Sequence, residues 1–464
     1  MSRYYTGMNP GAARVARPRS GMAPIVQLGL AGLLSIFYFA NYYDWSLVNL
    51  LAAAKWAAAL GFGGLMLLVA QRRDIARGIA AALPVVLLAL LFLTVTLSED
   101  VSSSFVYFVG IVLVVAASWL LAGHIASRNA QSQFFEIIAN VGRVVIFTNT
   151  LMLFAGLNLG RGGYRFSGWT DNPNTLALMI APTMIILIAQ ILERRRSVLL
   201  WNVPFVLMGL LLLIQADSRA GILWVAIACL ALFAFRQGVG ISFWVSVVLG
   251  ALAVFFWNDI SGFAVSLVDR DTAKVGADIL SGRSEMWPIG LDLFSLKPLA
   301  GHGPGMSEQI LDAMGGTFRE AQGSQFHNSY VTILVEAGVV GALAVLLVIG
   351  AAFVGGVRAS SLLRIQKNPR WPTQALPWVI LLGALGHAFF ETWILSPGNA
   401  NAFILWTCIW LLVGDRSVVP DGSGQAGAGK FRFWPGRARV MRGPGPQVSG
   451  MAPDAPAGRP SRRS

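Results

Sequence analysis

The sequence predicts an all-α polytopic membrane protein with about twelve transmembrane helices. Of its 464 residues, 55% are hydrophobic and only 12% are charged, and the mean hydropathy is +0.64. A soluble domain has too small an interior to bury this much apolar surface, whereas long uncharged runs are typical of membrane spans. The composition therefore excludes a soluble globular fold.

Apolar segments that are long enough, or nearly long enough, to cross a bilayer recur along the whole chain. About 20 helical residues cross the hydrocarbon core, so the shorter segments predict tilted helices or helices that extend past the apolar run. The first segment follows a basic N-terminus and lacks a cleavage site, so we interpret it as an uncleaved anchor. The predicted spans are 24–40, 47–70, 79–97, 105–122, 134–156, 172–192, 198–216, 220–235, 239–257, 328–355, 375–394 and 400–414.

The basic residues divide the connecting segments into two sets. Alternate loops contain clusters such as Arg194–Arg196, whereas the intervening short loops NYYDWS and SEDVSSS contain no Lys or Arg. Positive residues concentrate on the cytoplasmic side of membrane proteins. The pattern therefore predicts a cytoplasmic N-terminus (residues 1–23), a transmembrane domain (24–414), one large periplasmic loop (258–326) and a cytoplasmic C-terminus.

The net charge of +13 does not indicate a nucleic-acid partner, because much of it lies in predicted cytoplasmic segments. Residues 415–464 are rich in Gly, Pro and Arg and predict a disordered tail near anionic lipid. Cys229 and Cys408 each lie in an apolar run. Their positions exclude a disulfide framework and a thiolate zinc site.

Three arginines on the predicted outer side, Arg165, Arg219 and Arg283, run against the topology rule. Because guanidinium groups match anions well, these residues predict anion binding. The segment GRSEMWPIGLDLF predicts an amphipathic helix that begins near Arg283. His302, in the Gly-rich turn that follows, has no predicted role. The side chains of this helix that we expect to lie against the membrane are Met286, Trp287, Ile289, Leu291 and Phe294.

The stretch FHNSYVTILVEAGVVG, residues 326–341, begins a span with polar residues. On a regular helix His327 and Gly338 are separated by about 20° and lie on the same face as Gly341. The stretch therefore predicts a histidine at the outer mouth of the span, with two glycines deeper where a neighbouring helix packs closely.

Four further polar residues are accessory candidates, and one of them, Glu336, lies on the opposite side of this helix from His327. We expect Glu336 to be a structural carboxylate that pairs with Lys55 or Arg143, because lipid solvates none of these charges. Lys55 also has the reach to contact phosphate near the outer surface. His387 and Glu391 are four residues apart, which predicts that they share one helix face. There they would hold a metal, line the acceptor path or form a structural pair.

The chain carries four motifs in a fixed order, and in this order they resemble the O-antigen ligase family. That family includes Wzy-type polymerases and exopolysaccharide polymerisation proteins, and the likeness covers roughly residues 150–345. The motifs are Tyr164-Arg165-Phe166-Ser167-Gly168 with Asn172-Pro173-Asn174, then Ser218-Arg219-Ala220-Gly221, then Ser281-Gly282-Arg283, and finally His327-Asn328 followed by Gly338-x-x-Gly341.

The resemblance implies a GT-C-like membrane glycosyltransferase of lipopolysaccharide or exopolysaccharide biosynthesis. Such enzymes act without a cofactor on the periplasmic face of the inner membrane. They move a glycan from undecaprenyl pyrophosphate to an acceptor hydroxyl. The acceptor is lipid A-core for a ligase and a glycan chain for a polymerase, and both alternatives stay open.

This chemistry assigns a role to each candidate. Arg165, Arg219 and Arg283 are the predicted ligands of the leaving pyrophosphate. His327 is the predicted general base, and Asn328 orients either His327 or the acceptor. No outer cluster has convincing metal-ligand spacing, so we expect metal-independent transfer.

A transporter or lipid-linked glycan flippase is the alternative from another class, since many spans with intramembrane charges suit it equally well. The sequence shows no internal repeat, and its unusual charges lie at one face of the membrane and not along a path. That distribution favours an enzyme.

Overall fold

The computed structural model describes residues 21–41, 48–75, 78–160, 165–193, 196–237, 283–314, 326–366 and 371–414. The predicted span 239–257, the first part of the predicted loop 258–326, and the predicted tail lie outside the described residues.

The described part of the chain forms 13 helices, which confirms an all-α polytopic membrane protein. Six of these helices are long and apolar enough to cross a membrane, and several shorter ones are also apolar. The total of twelve spans and the GT-C-like class stay predictions. The helices are α1 (Pro24–Phe39), α2 (Val48–Val69), α3 (Ile79–Thr96), α4 (Val101–Ser127), α5 (Gln131–Phe154), α6 (Pro173–Leu192), α7 (Arg196–Gln215), α8 (Arg219–Gln237), α9 (Arg283–Leu296), α10 (Met306–Ala313), α11 (Ser329–Gln366), α12 (Trp371–His387) and α13 (Ala400–Val413).

The helices pack closely where small residues face a neighbour. Gly142 of α5 lies against Thr183 of α6, and Gly383 of α12 lies against Trp224 of α8, with no room for a Cβ at either glycine. Close backbone approach of this kind is how membrane helices associate without a hydrophobic driving force. Helix α8 packs on both α6 and α12.

Helix α11 is interrupted inside its apolar run. Gly338 has φ 59° and ψ −163°, so helical geometry stops there and resumes in the next residues. His327 precedes the first helical residue, Ser329. The predicted common face of His327, Gly338 and Gly341 is therefore wrong, because it assumed one unbroken helix. Gly341 packs instead near Leu91 of α3.

The segment between α9 and α10 fills this interruption. An interrupted helix leaves backbone groups without partners, which is costly inside a membrane. Here the Pro298–Gly303 segment supplies them, and a Cβ on Gly338 would overlap the Leu299 carbonyl. The four backbone hydrogen bonds run from His302 N to Val335 O (2.8 Å), Gly303 N to Glu336 O (2.8 Å), Val339 N to Pro298 O (2.8 Å) and Val340 N to Leu299 O (3.1 Å).

His302, to which the sequence assigned no role, anchors this segment. Its ring is buried, with Nδ1 2.8 Å from Glu99 Oε1 and Nε2 2.9 Å from Leu293 O. Lys297 Nζ lies 2.9 Å from the same Glu99 oxygen. Hydrogen bonds from Lys297 and His302 hold the pKa of Glu99 below its ordinary value. The end of α3 is thereby tied to the α9–α10 segment.

Glu336 pairs with neither Lys55 nor Arg143, so the predicted partners are wrong. Its carboxylate accepts a hydrogen bond from Ser307 Oγ and lies at the backbone N–H groups that begin α10. A helix N-terminus has unpaired N–H groups and a partial positive charge, which suit a carboxylate. The polar group that lipid cannot solvate therefore has its partners at the start of α10.

The amphipathic helix begins at Arg283 as predicted, but part of its apolar face contacts protein. Met286 is buried against Phe326 and Val331, and Gly290 lets α9 approach Val331 closely. The expectation that Met286 lies against the membrane is wrong, because α11 offers an apolar surface first. Leu291, on another face, is 50% exposed.

Candidate active site

His327 lies just before the first residue of α11, in a strained backbone conformation. Its φ is 48°, in the left-handed region that non-glycine residues rarely adopt. Its side chain is 32% exposed. Such strain is found mainly where the surrounding structure enforces it, and often at functional sites.

The chain segment after α12 holds the start of α11 in place. Ser329 N donates to Ala388 O (2.9 Å), and Ser329 Oγ donates to Glu391 O (2.7 Å). Asn328 N donates to Thr392 Oγ1 (3.2 Å). These bonds fix the backbone on both sides of the Glu391 side chain relative to His327.

The Glu391 carboxylate faces the His327 ring. Glu391 Oε2 lies 3.1 Å from His327 Nδ1, and Glu391 is mostly buried. An ionised carboxylate only accepts hydrogen bonds, so Nδ1 carries the proton. The Nε2 atom of a neutral His327 then has its lone pair available to accept a proton.

Asn174 binds the other oxygen of Glu391. Asn174 Nδ2 donates to Glu391 Oε1 at 2.7 Å. Asn174 lies in the first turn of α6, where the Asn172 side chain caps the helix by accepting from Asn174 N (2.8 Å) and Thr175 N (3.0 Å). The Asn-Pro-Asn motif thus both starts α6 and contacts the candidate base through Glu391.

Arg165 extends this chain of contacts to the corner between α7 and α8. Its Nη2 donates to Asn174 Oδ1 (2.8 Å) and to Asp217 O (3.1 Å), and its Nε donates to Ala216 O (3.0 Å). Carbonyl groups at a helix C-terminus attract a cation. Arg165 therefore binds backbone and side-chain groups of the protein itself. Its predicted contact with pyrophosphate stays a prediction.

The other predicted residues of the site have distinct placements. Asn328 is buried, and its side-chain oxygen caps α11 by accepting from Tyr330 N (2.9 Å) and Val331 N (3.2 Å). Arg219 is exposed as the first residue of α8. Arg283 begins α9, and its side chain lies outside the described part of the structure.

Lys55 lies near the start of α6 and is joined to the end of α1. Its Nζ donates to Asn41 Oδ1 at 2.8 Å, and it interacts electrostatically with Asp171, three positions before Asn174. Arg143 was the other predicted partner of Glu336. It donates instead to Asn202 Oδ1 at 2.8 Å, within a separate polar cluster.

His387 and Glu391 do not share a helix face. Helix α12 ends at His387, and the segment that follows carries Glu391 to His327. His387 is fully buried, with its ring 5.1 Å from that of Trp224, and its Nδ1 accepts from Trp393 Nε1 (3.0 Å). The predicted i, i+4 pair is therefore wrong. The described residues contain no group of three or more His, Cys, Asp or Glu that could hold a metal ion.

Residues 203–346 match the family model described as O-antigen ligase. The predicted resemblance to the O-antigen ligase family is thus confirmed. The matched region includes Arg219, Arg283 and His327, whereas Asn174 and Glu391 lie outside it.

A curated relative adds a second likeness. The chain is 27% identical over 146 residues to "Exopolysaccharide production protein ExoQ" of Rhizobium meliloti (strain 1021). The likeness covers 30% of this chain and 32% of that protein, so the chain spans about a third of the relative's length.

The sequence did not predict the contacts of two residues of the site. Asn174 belonged to a motif without a role, and Glu391 was paired with His387. The one available signal was the polarity of Asn174 and Glu391 at the ends of apolar segments.

Proposed function

We propose that this protein transfers a glycan from undecaprenyl pyrophosphate to an acceptor sugar hydroxyl, in the manner of an O-antigen ligase. The observation that carries the proposal is the contact between His327 and Glu391 at the start of α11. The proposed place is the periplasmic face of the bacterial inner membrane, which rests on the charge distribution of the loops.

The proposed reaction needs one base and one anion site. The acceptor oxygen attacks the anomeric carbon of the glycan, and its proton moves to His327 Nε2. The bond between that carbon and the pyrophosphate oxygen breaks, and undecaprenyl pyrophosphate leaves with the electron pair. Glu391 stabilises the imidazolium that forms, and Arg219 and Arg283 stabilise the charge of the leaving group.

The direct test is a turnover assay with purified protein in proteoliposomes. The membranes contain the undecaprenyl-pyrophosphate glycan, and the acceptor is added with or without EDTA. We expect product in both conditions. Loss of turnover in EDTA, restored by a divalent ion, would contradict metal-independent transfer. Movement of the donor between leaflets without any product would instead support a flippase.

A second candidate is polymerisation of exopolysaccharide or O-antigen repeat units. The likeness to a protein named for exopolysaccharide production supports it. The two reactions share the base and the anion site and differ in the acceptor. In a deletion strain, bare lipid A-core with accumulated lipid-linked polymer indicates a ligase. Single repeats on the core indicate an O-antigen polymerase. Missing secreted polymer with unchanged lipopolysaccharide indicates an exopolysaccharide polymerase.

A further inference from the structure

We infer that Arg165 and Asn174 are positioning residues that hold Glu391 against His327, and that Arg165 is not a ligand of the donor pyrophosphate. The inference rests on the proposed function. It gives Arg165 a role different from that of Arg219 and Arg283. The juxtaposition that carries it is the continuous hydrogen-bonded series from Arg165 through Asn174 and Glu391 to His327.

The Arg165 guanidinium turns one edge toward the chain itself. Arginine binds phosphate best through two parallel N–H groups on one edge of the guanidinium plane. The edge formed by Nε and Nη2 faces the chain itself, with Ala216 O, Asp217 O and Asn174 Oδ1 as acceptors at 3.0, 3.1 and 2.8 Å. This edge is thus committed to the protein.

The Asn174 amide is oriented by the two residues that it contacts. The oxygen and nitrogen of an amide are assigned from their partners. Arginine offers only donors and an ionised carboxylate only acceptors, so Oδ1 must face Arg165 and Nδ2 must face Glu391. Both ends of the amide therefore have one allowed assignment, and Asn174 couples the arginine to the carboxylate.

Asn174 acts on the base, His327, through Glu391. With Oε1 held by Asn174 at 2.7 Å, the plane of the carboxylate is fixed and Oε2 lies at the His327 Nδ1 proton. That contact selects the tautomer in which Nε2 accepts the acceptor's proton. Loss of Asn174 would let the carboxylate rotate, so the ring would spend less time in the reactive orientation. A misplacement of about 1 Å costs about 10²-fold in rate.

The experiment separates positioning from donor binding by comparing kcat with the KM for the donor. In the proteoliposome assay, we expect Asn174→Ala and Arg165→Ala to lower kcat by about 10–10²-fold while the donor KM changes less than about 2-fold. Arg219→Ala serves as the donor-binding counterpart and should raise the donor KM. A rise in donor KM for Arg165→Ala that matches that of Arg219→Ala would overturn the inference.

A double-mutant cycle checks that Asn174 acts through Glu391. Asn174→Ala should have no further effect in a Glu391→Gln background, because the residue it positions has already been changed. Full additivity of the two effects would contradict the series.

Asn174→Asp covers the case in which the alanine variant does not fold. It keeps an acceptor for Arg165 but places a second carboxylate against Glu391, and repulsion between the two carboxylates turns Glu391 away from His327, so turnover should fall. Cooperative thermal unfolding checks that this variant is folded. Normal turnover of Asn174→Asp would also overturn the inference. Failure of the proposed function looks different, because the parent protein itself would form no product.

Discussion

His327 Nδ1 and Glu391 Oε2 lie 3.1 Å apart, although 64 positions separate the two residues in the chain. The segment after α12 makes this contact by folding back on the start of α11, where Ser329 Oγ donates to Glu391 O and accepts from Trp393 N. The candidate base therefore lies just before α11 and its carboxylate partner just after α12, and these two helices pack directly on each other. Changes in that packing should alter the chemistry without touching either side chain.

Replacement of His327 by alanine should abolish most turnover while the lipid-linked donor still binds. Removal of a positioned general base costs about 10²–10⁴-fold in rate. The measurement is product formation in proteoliposomes, together with binding of the undecaprenyl-pyrophosphate glycan to the same preparation. His124→Gln, at the far end of α4, removes an imidazole elsewhere and should retain turnover. Near-normal turnover of His327→Ala would remove the general-base assignment.

Replacement of Arg219 should affect the donor and not the base. Arg219→Ala should raise the KM for the donor or lower leaving-group stabilisation, and Arg219→Lys should restore only part of the loss. Lysine keeps the charge but loses the planar fork of donors. The matched control is Arg358→Ala on α11, which removes a guanidinium on the predicted cytoplasmic side. This variant should leave the KM for the donor unchanged. Equal kinetics of the lysine variant and the parent would argue against bidentate contact.

Local signals in the sequence predicted most of the helices but not the interruption of α11. Apolar runs indicate which segments lie in lipid. The predicted bounds of the spans agree with those of α1, α2 and α6 within a few residues. Gly338 sits in an equally apolar run, and a glycine there is compatible with either a regular helix or an interruption. The choice is made by the Pro298–Gly303 segment, whose backbone groups pair with those freed at the interruption. Long-range pairing of this kind leaves no periodic pattern in the sequence.

The candidate site was predictable in its residues and not in its connections. Motif order led to His327, Arg219 and Asn174, because each motif combines a polar residue with the end of a span. Glu391 was assigned to a helix face by its spacing from His387, and the spacing rule failed since α12 ends at His387. Only the contacts of the segment after α12 with Ser329 reveal where the carboxylate points.

Topology is the prediction on which every assignment to the outer face depends. Reporter fusions at Gly240 and Lys367 should be cytoplasmic, and fusions at Lys274 and Gly315 should be periplasmic. The reason is the bias of Lys and Arg toward one set of loops. Paired alkaline phosphatase and fluorescent protein fusions measure this directly, each serving as the control for the other. The opposite pattern would place His327 on the cytoplasmic side and would remove every assignment to the outer face.

The contact of Glu99 with Lys297 and His302 should make stability depend on pH. These partners hold the pKa of Glu99 below its ordinary 4.5. A depressed acid pKa stabilises the fold while the carboxylate is ionised, so the contribution is complete above 4.5 and is lost as the pH falls through the lower folded value. Glu99→Gln should therefore melt below the parent at neutral pH, with the difference shrinking in acid. Asp292→Asn, an exposed carboxylate on α9, should follow the parent throughout. A difference that is constant with pH would exclude the ionised contact as its cause.

Replacement of Gly338 by alanine should destabilise the protein more than the same change at Gly350 on the same helix. At φ 59° and ψ −163°, Gly338 occupies a region that is essentially restricted to glycine, and occupying it costs other residues about 1–3 kcal/mol. A Cβ there would also overlap the Leu299 carbonyl, whereas a Cβ at Gly350 meets nothing within 4 Å. Alanine at Gly350 removes backbone freedom from a regular helix and should be neutral or slightly stabilising.

Thermal unfolding in detergent, followed by intrinsic fluorescence, measures the difference between the two variants. We expect the melting temperature of Gly338→Ala to fall and that of Gly350→Ala to stay at or above the parent value. Proteolysis of the segment between α9 and α10 gives a second measurement, because displacement of Pro298–Gly303 from α11 would expose its backbone to a protease. Equal melting temperatures with equal protection of this segment would show that α11 tolerates a side chain at Gly338, and the interruption would then not depend on glycine.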